Sequence, residues 1–461
     1  GMEKRWVAKA IPEENIIREL TESIKVSESL AILLAQRGVK DFDSAREYFR
    51  PDLKHLHDPF LMKDMDLAVG RIQAAIQTGQ KILIYGDYDV DGTTAVTLLY
   101  SFLSALHPFC EYYIPDRNKE GYGVSARGID YARENDFKLI ISLDCGVKSI
   151  ELIGKAKSYG IDFIVCDHHN PGEVLPPAVA VLDAKRSDCP YPYKELSGCG
   201  VGFKLAQALC LSMGLAEEKV FDYLDVLAVS IACDIVDMSG ENRILAFWGI
   251  QQLNTRPRVG LKVLLEKAFE RNPKTAYDIS DVVFYVGPRI NAAGRLDHAY
   301  GAVNLLLEQD LEKAREFAGS LHQTNEARKE FELETTREAI AQCEADPQFS
   351  DRRSTVVFGE NWNKGVIGIV ASRLVETFYR PTIVLCKSGD KISGSARSVN
   401  GFDIHSAIEA CEQHLVQFGG HTHAAGLVLR PEQVNGFKEA FDQVVKGRIS
   451  EESLVPVITY D

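Results

Sequence analysis

Between residues 81 and 182 the chain repeats one pattern, a short apolar run followed by a longer helix-forming stretch. The runs are KILIYG (81–86), CEYYIP (110–115), KLIISL (138–143), DFIVC (162–166) and AVAVL (178–182). Each has strand length and is apolar on both alternating faces, which reads as a buried strand. Stretches such as VKSIELIGKAKSYG (147–160) separate them with helical character. The alternation implies an α/β fold, a mostly parallel sheet with helices on both faces. The apolar stretches VGFKLAQALCLSMGL and YLDVLAVSIACDIV read as helices packed beside that sheet.

The rest of the chain divides around this domain. Residues 1–60 form a charged, partly helical extension, and the first α/β domain covers 61–310. Residues 311–345 hold one glycine, no proline and many helix formers, so they predict a single long connecting helix. A second, smaller α/β domain is expected over 346–447, with strands STVVFG, TIVLC, KISGSAR and AAGLVL. Residues 448–461 form a tail whose PVITY reads as a further strand.

The ends of the apolar runs carry the chemistry. GDYDVDGTTA places Asp87, Asp89 and Asp91 at every second position before a glycine. The first half fits a calcium loop, but such a loop needs a Glu at its twelfth position, where this chain has Leu98. The loop also follows a strand rather than a helix. Ligands of open α/β sheets sit beyond the carboxyl ends of the strands. Asp144 follows the run KLIISL, and Asp167, His168 and His169 follow DFIVC. Asp234 ends the helix-like VSIAC stretch. A lone Asp in such a place is usually a cap. Several together, with imidazoles, point to a shared metal centre. Carboxylates and imidazoles without thiolates suit Mn2+ or Mg2+, and two such ions about 3.5–4 Å apart clamp the attacking and leaving oxygens of a phosphoryl transfer.

Bulk properties exclude little beyond this. A net charge of −14 argues against a general nucleic-acid coat but not against a nuclease with local basic patches. The densest basic run, 256–274, has six basic and two acidic residues and reads as a solvated helix face. Ten cysteines without a C-x-x-C pair exclude zinc and disulfide frameworks and suit a reduced compartment. The amino-terminal residues show no signal-peptide core and no run approaches membrane length, so the expected location is cytoplasmic.

YGDYDVDGTTA, SLDCG and VCDHHNPGE together resemble the motifs of the DHH phosphoesterases. IPDRNKEGYGVS, MSGENR, VGPRINAAGRLDHA, NWNKGVIGIVASRL, SGSARSVNGFDIH and FGGHTHAAGL narrow the resemblance to the RecJ family, single-strand-specific exonucleases within that superfamily. The resemblance runs from the sixties to the mid-450s. It implies a DHH domain joined by a long helix to a smaller DHH-associated domain. It implies Asp89, Asp91, Asp144, His168 and Asp234 as metal ligands. Asp87 would be a further ligand or an outer base, and Asp167 would hold a neighbouring His in its tautomer. His169 would bond the scissile phosphate or leaving group, and Asp225, the rival to Asp234, would be a packing or surface residue. Arg117, Asn291 and Arg295, with Ser395 and Arg397 in a small-residue turn and His421 beside two glycines, would bind phosphate, and Tyr122 would stack a base.

The activity implied is metal-dependent hydrolysis of single-stranded DNA from its 5′ end to nucleoside 5′-monophosphates, in repair and recombination. A single-strand-binding protein or helicase is the expected partner, and a monomer the expected state. Two departures stand out: His423 replaces an expected apolar residue, and the tail falls where an OB-fold domain would begin. Rival readings are a DHH enzyme acting on short oligonucleotides or dinucleotides, and a non-catalytic replication scaffold.

Overall fold

The computed structural model of the chain describes residues 2–461, which form two compact units. One is Pro12–Asn325, and the other joins the first residues, through Ile11, to Glu326–Asp461. The first element, β1 (Arg5–Ala8), therefore belongs with the carboxyl-terminal unit.

The larger unit begins with α1 (Glu14–Ser23), α2 (Glu28–Gln36) and α3 (Phe42–Phe49), which bury Leu20, Ala31, Leu34 and Ala45 together. Then come α4 (Met65–Gln77), β2 (Lys81–Gly86), α5 (Val90–Ser104), β3 (Cys110–Tyr113), α6 (Ala126–Glu134) and β4 (Phe137–Leu143). α7 (Ile150–Ser158), β5 (Asp162–Cys166) and β6 (Ala180–Leu182) complete the sheet. Its five strands run in the order β3-β2-β4-β5-β6, every pair parallel. Successive side chains take opposite faces. Ile82 and Ile84 pack with α4 and α5, while Leu83 and Tyr85 pack with Ile129 of α6 and Ile153 of α7. Burial on both faces is why these strands read as unbroken apolar runs. Each such side chain contributes about 1.5–3 kcal/mol by leaving water.

A helical layer follows: α8 (Gly198–Met213), α9 (Glu218–Phe221), α10 (Leu224–Cys233), α11 (Gly240–Thr255) and α12 (Val259–Ala268). After the single turn α13 (Ile279–Asp281), a π-helical turn (Val282–Val286) leads into α14 (Gly287–Leu296) and α15 (Tyr300–Leu307). The basic run forms α12, which buries Leu261, Val263, Leu264 and Leu265 and turns Lys262 to solvent. Asp225 is fully buried at the start of α10, where it accepts the Arg258 backbone N–H at 2.9 Å. Its role is packing, not surface.

α16 (Leu311–Ala345) is one continuous helix of 35 residues, and the division between the units falls within it. The smaller unit then contains β7 (Thr355–Gly359), α17 (Ile367–Phe378), β8 (Thr382–Ser388), β9 (Lys391–Arg397) and α18 (Ile404–Glu409). β10 (Gln417–Gly420), β11 (Ala424–Leu429), α19 (Val434–Arg448) and β12 (Val457–Tyr460) end it. Its five-stranded sheet has the order β10-β11-β9-β8-β7. SGSAR is thus not a turn offering free backbone donors. It lies in β9, between β8 and β11, where its N–H groups serve the ladder. The tail strand also has a partner: β12 pairs in parallel with β1, Arg5 opposite Val457. No helix among the described residues is long and apolar enough to cross a membrane.

The GENR segment clamps the larger unit. Glu241, 1% exposed, accepts the Tyr191 hydroxyl at 2.5 Å, the His57 N–H at 3.0 Å and the fully buried Lys204 ammonium at 2.6 Å. Arg243 donates to the Tyr48 carbonyl and lies 3.6 Å from its ring centroid. The segment before α4 is thereby tied to α8 and α11. Lys204→Met strands the Glu241 charge in this interior, and should cost about 3–5 kcal/mol, read as a lower urea midpoint.

Candidate metal centre

The β2–α5 turn carries the first carboxylates. Asp89 caps α5, accepting the Gly92 N–H at 2.7 Å. Gly92 is required there, because a Cβ would lie 2.4 Å from the Asp87 carbonyl oxygen. Asp91, in the first turn of α5, is 2% exposed. The first N–H groups of α8 point at it, from Gly198 at 2.7 Å and Cys199 at 2.8 Å, and the Ser230 hydroxyl adds a third bond at 2.8 Å. A helix amino terminus supplies orphan donors and a positive dipole end, both suited to a carboxylate.

Asp144 follows β4 in a left-handed conformation, φ 62°. Its Oδ1 lies 2.9 Å from His168 Nε2. The same Nε2 is 3.3 Å from Asp91 Oδ2 and 3.5 Å from Asp234 Oδ2. Asp234 reaches the cluster from the carboxyl end of α10. Ligand atoms of Asp91, His168 and Asp234 all fall within 4.8 Å of one another, as do those of Asp144, His168 and His169. Gly198 makes this density possible, since a Cβ on it would stand 2.7 Å from Asp144 Cβ.

Burial, and then mutual repulsion, governs the electrostatics. Burial pushes Asp87, Asp89 and Asp91 up, and pushes Asp144 well above the ordinary carboxylate range, with Asp89 and Asp91 adding to the effect. Asp234 is pushed up to about 6 by burial and by Asp91. Burial lowers His168, which favours a neutral imidazole. His169 behaves oppositely. Burial opposes its charge, but its 2.6 Å bond from Nδ1 to Asp167 and the nearby carboxylates outweigh that and raise it to about 9. Asp167 is held low, because the His169 bond and charge and the Val147 N–H overcome its burial. Asp167 thus orients His169, the kind of neighbouring His that the resemblance implied it would hold.

Asp87 Oδ2, Asp144 Oδ2 and Asp234 Oδ2 are buried and find no hydrogen-bond partner among the described residues. Buried carboxylate oxygens persist when paired or bound to a metal. An all-oxygen and imidazole donor set fits Mn2+ or Mg2+. Cys145 beside it stays a thiol, its pKa pushed up by burial.

The remaining expected residues divide between the units. Arg117 sits 5.3 Å from the Tyr88 ring, and α14, which carries Asn291 and Arg295, packs closely enough that a Cβ on Gly294 would meet the Tyr88 carbonyl at 2.8 Å. The Tyr122 hydroxyl lies 3.3 Å from the Asp144 carbonyl and 3.5 Å from His169. Ser395, Arg397 and His421 belong to the smaller unit. There the Arg397 guanidinium and Ser395 hydroxyl face Gly368 at the start of α17. His421 and His423 occupy the β10–β11 hairpin tip, rings 6.1 Å apart.

One acidic residue went unread. Asp183 follows β6 as Asp167 follows β5, and the Cys166–Leu182 register sets them side by side. It is fully buried, Oδ2 lacks a partner, and burial pushes it up to about 7. The signal in VLD, an Asp after an apolar run, was the one used elsewhere. Lys185, two residues on, bears electrostatically on both Asp183 and His168.

A parallel sheet with aspartates and an Asp-His-His step at its carboxyl end defines a protein of the DHH class. Residues 81–231 match the DHH family, N-terminal domain, and residues 352–447 match the DHHA1 domain. The single-stranded-DNA-specific exonuclease RecJ of Bacillus subtilis is 38% identical over 99% of this chain, which spans 57% of that relative. The Haemophilus influenzae RecJ is 36% identical, with 89% of this chain and 74% of that protein covered. The crystal structure of RecJ from Thermus thermophilus in complex with Mn2+ superposes with a TM-score of 0.83 at 28% identity, over 99% of this chain and 64% of that one. A crystal structure of exonuclease RecJ bound to manganese gives 0.77 at 31% identity, over 87% and 97%. The chain belongs to the RecJ family of single-stranded-DNA-specific exonucleases.

Mn2+ added at 100 times its Kd should stabilise the chain by about 2.7 kcal/mol, seen as a higher thermal midpoint that chelator reverses. Asp144→Ala should raise the metal-free midpoint and abolish the metal-induced rise.

Proposed function

We propose that the chain hydrolyses single-stranded DNA from its 5′ end to nucleoside 5′-monophosphates, with Mn2+ or Mg2+ as cofactor. The observation that carries this is the set of buried carboxylates of Asp91, Asp144 and Asp234 gathered around His168, with the Oδ2 atoms of Asp144 and Asp234 lacking any hydrogen bond, in a chain of this family. Asp89, Asp91, Asp144, His168 and Asp234 would hold the metal, with Asp87 as a further ligand or outer base. When bound, such ions supply Lewis acidity and an activated water near neutral pH.

The chain's own residues do the rest. Neutral His168 keeps an Nε2 lone pair for coordination. His169, held protonated through Nδ1 by Asp167, offers its Nε2–H to the scissile phosphate or to the leaving oxygen. Asp87, whose Oδ2 is buried without a hydrogen bond, would accept a proton from the attacking water. Arg117, Asn291 and Arg295 on the larger unit would fix the phosphodiester, and Ser395, Arg397 and His421 on the smaller one the terminal phosphate. The α17 amino terminus beside Arg397 adds a positive dipole end to that grip. A monomer in the cytoplasm, supplied with strand by a helicase or a single-strand-binding protein, completes the reading.

Single-stranded DNA labelled separately at each end tests it. The 5′ label should appear at once as mononucleotide with Mn2+ and not with chelator; release of the 3′ label first would contradict the polarity. Asp144→Ala should leave no measurable turnover while the fold persists. Arg397→Ala should weaken binding and reduce the slope of log K against log salt by about 0.7, one single-strand phosphate contact. An unchanged slope would remove Arg397 from the phosphate grip.

A further inference from the structure

The loop of residues 116–125 has two working sides. Arg117 and Tyr122 face Tyr88, Asp144 and His169 at the metal centre. Asp116, Lys119 and Glu120 face a separate open cleft of about 540 Å3, lined also by α6 and by His298 and Tyr300 at the start of α15. Nothing in the reaction above uses this cavity.

Its walls are aromatic. His298 and Tyr300 stack with centroids 4.2 Å apart at 15°. Tyr113 and Tyr131 line the cavity with them, their rings 5.3 Å apart. Flat rings of this kind present faces on which a nucleobase stacks.

Its charges are unevenly occupied. Glu120 is saturated: it accepts the Tyr113 hydroxyl at 2.6 Å, the Ser125 hydroxyl at 2.7 Å and the Asp116 N–H at 2.7 Å. Asp116 accepts the Asn118 and Lys119 N–H groups, both at 2.9 Å. Asp130 leans toward Lys155 at 3.7 Å, and Glu134 is exposed at the rim. The Arg127 guanidinium and the Lys119 ammonium also line the cavity, and neither forms a hydrogen bond or ion pair with the described residues. An Arg fork and an ammonium above stacked rings match an anion attached to an aromatic ring.

We propose that this cavity binds a nucleoside 5′-phosphate, its base against the His298–Tyr300 stack and its phosphate on Arg127 and Lys119. The ligand is either a nucleotide of the strand or a free mononucleotide, and only that choice of source rests on the nuclease reading. Through the shared loop, occupancy would bear on Arg117 and Tyr122.

Photo-crosslinking separates the possibilities. The full chain, in chelator, is irradiated with 8-azidoadenosine 5′-monophosphate, and separately with single-stranded oligonucleotides carrying 8-azidoadenine at successive positions. Adducts are mapped by peptide mass spectrometry. The expected adducts fall on Tyr113, Tyr131, His298 or Tyr300. They should drop at least ten-fold in Arg127→Glu, whose exposed helical position should leave the thermal midpoint unchanged; if it does not, Lys119→Glu serves instead. Adducts with the free nucleotide alone identify a mononucleotide site, and adducts from one oligonucleotide position identify a strand subsite. Adducts confined to Tyr88, Tyr122 or the smaller unit, or unaltered in both charge variants, overturn the proposal. Because chelator prevents metal-dependent cleavage, a negative result leaves the nuclease reading to its own end-label assay.

Discussion

Five carboxylates forced into one small volume are the constraint on which the rest depends. Left alone, Asp87, Asp89, Asp91, Asp144 and Asp234 repel one another and resist burial. The fold offsets this in part with backbone donors. The α5 cap at Gly92 and the first two N–H groups of α8 each serve a carboxylate. Those donors satisfy some oxygens and leave others open. The result is a site whose unmet electrostatic demand is itself the driving force for binding cations.

The adjacent histidines show how local geometry splits identical side chains. His168 turns Nε2 into the carboxylate cluster, and burial lowers its affinity for a proton, as suits a metal ligand. His169 turns Nδ1 back to Asp167 and keeps a proton at neutral pH. Both depend on Asp167, whose Oδ1 also accepts the His168 N–H at 2.8 Å and whose Oδ2 takes the Val147 N–H at 3.0 Å. One buried aspartate thus fixes the backbone of the turn and the charge of a neighbouring base. Likewise, the 116–125 loop is held by Glu120 from within, which frees Arg117 and Tyr122 on one side and Lys119 on the other.

Much of this was legible in the chain itself. Strands buried on both faces are apolar at most positions, so KILIYG, KLIISL and DFIVC announce themselves. A 35-residue helix needs only the absence of breakers, which is a composition property. Strand-end aspartates mark the site because a parallel sheet gathers its carboxyl ends on one edge, whatever lies between. The same logic covers Asp183, which follows β6. KISGSAR reads as a strand and is one, β9; the added reading of its SGSAR half as a phosphate-gripping turn fails, because the β8 and β11 partners take its N–H groups.

The sequence by itself determined most element types and a donor chemistry of carboxylates and imidazoles suited to Mn2+ or Mg2+, because these follow from periodicity and from side-chain functional groups. Tertiary structure alone decided which groups meet. The α8 amino terminus reaches Asp91 across 107 residues, Glu241 receives Lys204, and β1 pairs with β12 from opposite ends of the chain. Such contacts leave no local pattern, since each partner looks like an ordinary polar or apolar residue where it stands. Their energies exist only once the intervening chain has folded and closed the distance.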